Sequence, residues 1–273
     1  MAGRTFKRFG IILTCAALLD PCLTLGAPVA VRYREGLVHG FLVLSSMQGD
    51  PVAYGDVAQA SRGDRVTTHV IFRFKDGSVQ DETTIFSQRG NFRLLSYHLE
   101  QKGPSFHYPM DLSIDTSSGQ VTVRYKEDNN EKEKVASERM QLPADLANGL
   151  LFTMLKNVRA GVSPITLSFI VATPKPRLIK LTITPQGDEG FSIGDWKRTA
   201  MHYLIKMEIE GVAGVIAPLL GKKPPDLHVW ILEGDAPGLV KFEGPLSVDG
   251  PAWRIELTRP LWPSPASEHE ISQ

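Results

Sequence analysis

"THVIFRFKDGSVQDETTIFSQRG", residues 68–90, alternates apolar and polar side chains on both sides of a single Asp-Gly pair. Val70, Phe72 and Phe74 share one face, and Ile71, Arg73 and Lys75 share the other, which is the period of a half-buried strand. Asp76-Gly77 has the chemistry of a tight hairpin turn, and the second half runs back as the partner strand. Further along, "NFRLLSYHLEQKGP" (91–104) alternates Leu95, Tyr97 and Leu99 with Ser96, His98 and Glu100. Gly103-Pro104 turns the chain into "SFHYPMDLSID", where Phe106, Tyr108, Met110, Leu112 and Ile114 share a face, and "GQVTVRY" adds Val121, Val123 and Tyr125.

The pattern resumes beyond residue 160 in "PITLSFIVAT", "PRLIKLTITP" and "DWKRTAMHYLIKMEIEG". The last of these puts Met201, Tyr203, Ile205, Met207 and Ile209 on one face, with His202, Lys206 and Glu208 on the other. "DLHVWIL", "GLVKFEGPL" and "PAWRIEL" close the series. About twelve strands with neither linker nor internal repeat make a single mainly β domain, an antiparallel meander over residues 28–262.

Two apolar inserts interrupt the strands. "LPADLANGLLFTMLKNV", residues 142–158, has almost no charge and reads as a helix. Pro143 suits its first turn, Asp145 complements the positive end of its dipole, and Gly161 ends it. Leu146, Leu150, Met154 and Val158 form one stripe with Leu151 and Leu155 beside it, an arc wide enough to be buried on most sides. The second insert, Val212 to Leu220, carries no charge and is punctuated by Gly211, Gly214, Pro218 and Gly221, as in a short helix or a buried loop. Together they are expected to cover the concave face of one curled sheet. "KEDNNEKEK", residues 126–134, lacks calcium-loop spacing and reads as a solvated hairpin tip. "LVHGFLVL", residues 37–44, is apolar on both faces and is expected to be covered on both sides.

Arg4, Lys7 and Arg8 precede an apolar run from Ile11 to Leu19, and Leu25-Gly26-Ala27 supplies small residues for cleavage. Residues 1–27 therefore read as a cleavable signal peptide, placing the mature chain in the periplasm or outside the cell. Asp20 and Pro21 break the run well short of a membrane span, and the residues before Cys15 and Cys22 match a lipidation box poorly. The mature chain carries 27 basic and 29 acidic residues and no cysteine, which excludes disulfides, thiol chemistry and cysteine metal ligands. Balanced charge without a basic stripe argues against nucleic acid. The tail, residues 263–273, holds Pro, Ser and Glu and is expected to be disordered.

"LPADLANGLLFTML" and "HVWIL…LVKFEGPL" resemble the helix and closing strands of uncharacterised bacterial relatives of the Lol-type lipoprotein carriers. The whole layout is similar to that group: a secretion signal, a long meander curling into an incomplete barrel, and short helices plugging its mouth. The resemblance implies a periplasmic half-barrel with an apolar ligand cavity, and it lends no catalytic residue.

The residues themselves point the same way. No nucleophile elbow, S-x-x-K or H-E-x-x-H occurs, and no carboxylate pair stands out for acid–base work, so no enzyme, cofactor or catalytic residue is assigned. His98 and His107 flank a turn with Asp111 nearby, a donor set that would suit a divalent metal. The same positions are solvated strand faces, so no metal site is assigned. His69 and His202 lie on polar faces too, and His228 neighbours Trp230. "IGDWK" reads as a chance echo of a lipocalin motif. Met140, Met154, Met201 and Met207 would offer adaptable apolar surface.

Phe41, Leu44, Tyr97, Leu150, Met154, Tyr203 and Ile205 are the expected lining of a site under the helix. The function expected is a secreted or periplasmic binding or carrier module for an apolar or amphipathic, lipid-like ligand. The alternative is a non-enzymatic envelope interaction protein with a solid core, meeting another envelope protein through its surface or sheet edges. Neither reading leaves a transmembrane anchor after signal cleavage.

Overall fold

The computed structural model describes residues 28–126, 132–158, 164–208, 225–247 and 250–258. Residues 1–27, most of the charged loop near residue 130, Gly161, the Val212–Leu220 insert and residues 263–273 lie outside the described residues. The first half of the chain is a meander: β1 (Val38–Ser46), β2 (Pro51–Arg62), β3 (Arg65–Phe74), β4 (Val79–Ser87), β5 (Arg93–Lys102), β6 (Met110–Asp115), β7 (Gln120–Tyr125) and β8 (Lys134–Arg139). One helix follows, α1 (Leu151–Asn157). The second half holds β9 (Ile165–Val171), β10 (Arg177–Ile193), β11 (Trp196–Glu208), β12 (Leu227–Leu232), β13 (Gly238–Pro245) and β14 (Ala252–Thr258).

The fourteen strands of the described residues form one antiparallel sheet in the order β8-β7-β6-β5-β4-β3-β2-β1-β14-β13-β12-β11-β10-β9. The fold is thus mainly β, as the alternation predicts. β1 joins β14 at the middle of the sheet with Leu44 opposite Ile255, so the two halves of the chain grow outward from their own ends. The free edges are β8 and β9, and the segment from residue 140 to 158 crosses from one to the other.

That crossing shows how far the sheet curls. Ala147 donates its N–H to Ser168 O of β9 at 2.8 Å. Two residues later, Gly149 packs so closely on Thr84 of β4 that a Cβ there would lie 1.9 Å from Thr84 Oγ1. A flat sheet would hold β4 and β9 roughly 40 Å apart, whereas three residues of chain span about 10 Å. The sheet must wrap around the crossing segment, leaving an incomplete barrel with that segment inside it. Gln101 of β5 likewise donates to Leu246 O, beyond β13, at 2.8 Å.

The helix is shorter than its apolar stretch predicts. Residues 142–150 are turns and a single bridge, Leu146 to Ser168, and helical geometry begins only at Leu151. Pro143 and Asp145 therefore lie outside it, and its first turn has no acidic residue. Two local causes end the helix early on this side. The backbone of residues 145 and 147 is already paired with Ser168, and Gly149 sits at φ +65°, a left-handed conformation that only glycine adopts cheaply. The apolar stripe still works: Leu146, Leu150, Met154 and Leu155 are all buried in the core.

The core is the concave face. It takes Leu42 and Leu44 from β1, Phe72 and Phe74 from β3, Leu112 and Ile114 from β6, Tyr203 and Ile205 from β11, and Phe242 from β13. Phe74, Phe106 and Trp253 pack edge-on with centroids 5.3–6.3 Å apart, and Phe152 of α1 meets Phe242 at 5.5 Å. β1 departs from expectation. Leu42 and Leu44 on its inner face are buried, but Phe41 and Leu37 on the outside are 41% and 87% exposed, because among the described residues no second layer covers the convex face there. The "IGDWK" stretch is the tip of the β10–β11 hairpin, which projects past β9 and β12 and leaves Trp196 75% exposed.

Candidate functional site: the concave face and its plug

Six of the seven residues expected to line a site come together. Leu44, Tyr97, Leu150, Met154, Tyr203 and Ile205 belong to one buried cluster on the concave side. Burial and the nearby Glu233 and Asp188 carboxylates push the Tyr203 hydroxyl up to about 12. Phe41 does not belong there. Strand side chains alternate, so residues three apart, Phe41 and Leu44, must point to opposite faces, and Phe41 is on the convex one, against His39 at 5.3 Å. Met154 and Met201 are buried, while Met140 and Met207 pack partly buried against the same core.

The concave face also carries a polar pair that the hydrophobic pattern does not announce. Tyr97 donates its hydroxyl to Glu82 Oε2 at 2.9 Å. Burial raises the Glu82 carboxyl above the ordinary carboxylate range, against the hydrogen bond from Tyr97. Burial, and the charge of Glu82 beside it, push the Tyr97 hydroxyl well above its usual value. Register places Glu82 between Val70 and Leu99, with Val57 one strand beyond. Val57, Val70 and Glu82 keep some accessible surface although they face inward. The signal was present in "VQDETTIF": alternation puts Glu82 on the face of Gln80, Thr84 and Phe86.

Buried polar groups fasten the plug. Asn157 Oδ1 accepts the backbone N–H groups of Arg32 and Tyr33 at 2.8 and 2.7 Å, and its amide nitrogen donates to Thr153 O. Lys156 pairs with buried Glu35 at 2.5 Å, and Gln59 donates to the other oxygen of that carboxylate. At the β9 edge, Lys180 Nζ donates to Ser168 Oγ, which donates to Asp145 Oδ1, each at 2.9 Å. Ser168 has no accessible surface, so this chain ties the crossing segment to the sheet and offers no nucleophile. Asp145 Oδ2 is buried with no hydrogen-bond partner among the described residues.

The histidines divide differently from expectation. His98 meets Asp111 at 3.2 Å, but His107 packs edge-on against Tyr108 instead of joining them. Among the described residues no three His, Cys, Asp or Glu side chains converge on a metal position. His202, expected on a polar face, is largely enclosed. Its Nδ1 lies 2.8 Å from Glu189 Oε1, its Nε2 lies 2.9 Å from His228 Nδ1, and its ring stacks on Trp230 at 4.4 Å with Lys241 over the same indole. Trp230 Nε1 donates to Glu189 Oε2 at 2.8 Å. Burial lowers the His202 pKa, with His228 and Lys241 adding to that and Glu189 opposing it.

No family model matches the chain, and no curated protein matches it. Among solved structures it is similar to the crystal structure of a beta-barrel-like protein of a domain of unknown function from Brucella abortus. The identity is 10%, the match covers 83% of this chain and 97% of that one, and the TM-score is 0.46. The half-barrel with a plug that the Lol-type resemblance implies is present in this structure, and membership of the Lol-type group is not shown. No helix among the described residues is long and apolar enough to cross a membrane.

Proposed function

We propose that the chain is an exported, non-enzymatic binding module that holds an amphipathic ligand against its concave face. The observation that carries this reading is the Glu82–Tyr97 pair, a buried carboxyl that accepts a phenol hydroxyl on an inner surface shared by apolar side chains and the buried Gln59, Gln80, Thr84 and Gln101. A mainly apolar wall with a few convergent polar groups is what a small amphipathic guest requires. The aliphatic part would lie along Val57, Val70 and the plug, and the head group would offer a donor to Glu82. A hydroxyl, amide or ammonium head suits that role, and a carboxylate does not.

Titration with fluorescent acyl-chain probes carrying alcohol, amine or acid head groups tests this. Saturable binding of about one probe per protein, with a rise in melting temperature, is expected for the first two. Glu82→Gln should narrow the preference between heads, and Val70→Trp should block binding by filling the space. If no probe binds saturably, the outer surface is the working part and the module is an envelope interaction protein. Export has its own check: N-terminal sequencing of the secreted protein should find Pro28 or a neighbour within a few residues, and an intact Met1 or an acylated Cys22 would refute it.

A further inference from the structure

The convex face of the N-terminal half carries a second feature, independent of the interior. An open trough of about 570 Å³ runs across β4, β5, β6 and β7. Its lining mixes apolar surface, Ile85 included, with the hydroxyl and amide groups of Thr83, Ser96, Ser113, Thr122, Ser118 and Gln120, and His98 and Asp115 stand beside them. Register aligns Thr83, His98, Ser113 and Thr122 as one cross-strand row, and Ile85, Ser96, Asp115 and Gln120 as the next.

One row further towards the strand ends, the character changes. Arg62 stands directly opposite Arg65, and Arg65 aligns through Ser87 with Arg93. Arg89 follows in the turn from β4 to β5. All four are exposed, and among the described residues none of these guanidinium groups has a hydrogen-bond or ion-pair partner. Like charges directly opposite each other on adjacent strands destabilise a sheet, so folding gains nothing from this row. A ligand that neutralises it does.

We infer that the trough and the arginine row form one binding site for an anionic saccharide. The hydroxyl-lined rows meet the sugar hydroxyls, and Arg65 and Arg93 hold a sulfate or phosphate group at the end of the trough. Guanidinium groups bind such oxyanions through paired, charge-assisted hydrogen bonds. Asp115, His98 and Gln120 supply both acceptors and donors for the uncharged part of the sugar.

Calorimetry on the full chain with a sulfated tetrasaccharide, a neutral tetrasaccharide of the same length and inorganic phosphate decides the matter. Binding of the sulfated sugar, stronger than either control and weakening with salt, is expected. Arg65→Gln with Arg93→Gln should weaken it by about tenfold or more and flatten the salt dependence. Ser113→Val with Thr122→Val should weaken it with the salt dependence kept. Both pairs are surface changes on strands, and unchanged melting curves would show intact folding. Vesicles bearing a phosphorylated glycolipid, if preferred over the free sugar, would place the saccharide on a lipid. Absence of sulfated-sugar binding, binding of inorganic phosphate as tight as the sugar, or wild-type affinity in the arginine variant would each overturn the inference.

Discussion

Glu82 is the residue at which stability and the proposed ligand binding oppose each other. Its carboxyl holds a proton to higher pH in the folded chain than the 4.5 of an ordinary glutamate. The folded state therefore binds more protons than the unfolded one just above that pH, so stability falls as pH rises from 4.5 through the folded value. Glu82→Gln removes this slope. Its melting temperature relative to wild type should climb between pH 4 and pH 7, and a flat or falling difference would show that the carboxyl is not held off from water. Leu150 gives a simpler test of burial. With no accessible surface at the centre of the plug, Leu150→Asp places an unpaired charge in the core and should cost about 3–5 kcal/mol by chemical denaturation. A loss under 1 kcal/mol, about the size of a surface change, would put the plug outside the core.

At the scale of elements, α1 and the β10–β11 hairpin contrast. Seven residues make too short a helix to stand alone, so α1 depends on its surroundings. Asn157 supplies much of that support by accepting two backbone N–H groups from the segment before β1. Asn157→Ala leaves both donors without an acceptor and should cost about 2–3 kcal/mol. The hairpin tip is the opposite case. Ile193 and Trp196 face solvent where no third strand reaches them, so Trp196→Ala should change stability by less than about 0.5 kcal/mol. Guanidinium denaturation of the two variants side by side reads both, and equal losses would contradict the element boundaries described.

For the whole molecule, the decisive contact is β1 with β14. These strands are far apart in sequence, yet six residue pairs, from Phe41–Thr258 to Ser46–Trp253, join them. Everything from β9 to β13 is attached to the first half chiefly through this seam and the plug, with the Gln101–Leu246 hydrogen bond as a further tie. Removing residues 250–273 would strip β14, expose the edges of β1 and β13, and take Trp253 from the aromatic cluster with Phe74 and Phe106. Such a chain should show no cooperative thermal transition by circular dichroism. Pairing across so long a loop also makes folding slow, and stopped-flow refolding should be in the range of milliseconds to seconds.

Alternation alone was enough to decide that this is an antiparallel β protein, which faces of β3, of β11 and of β5 from Tyr97 onward are buried (a bulge turns Leu94 inward in place of Leu95), and the apolar stripe put residues 142–158 inside. Those properties depend on side-chain spacing along one strand or one stripe, and spacing is written in the sequence. Neighbours across the sheet are not. Only the tertiary structure decided that β1 lies beside β14, that Phe41 faces out, that Gly149 and the bridge to Ser168 shorten the helix, and that His107 stays apart from His98. It also brought Tyr97 to Glu82 and lined Arg62, Arg65 and Arg93 along one row. In each case the partner lies on another strand, and its identity depends on register and curl, which the whole sheet settles at once.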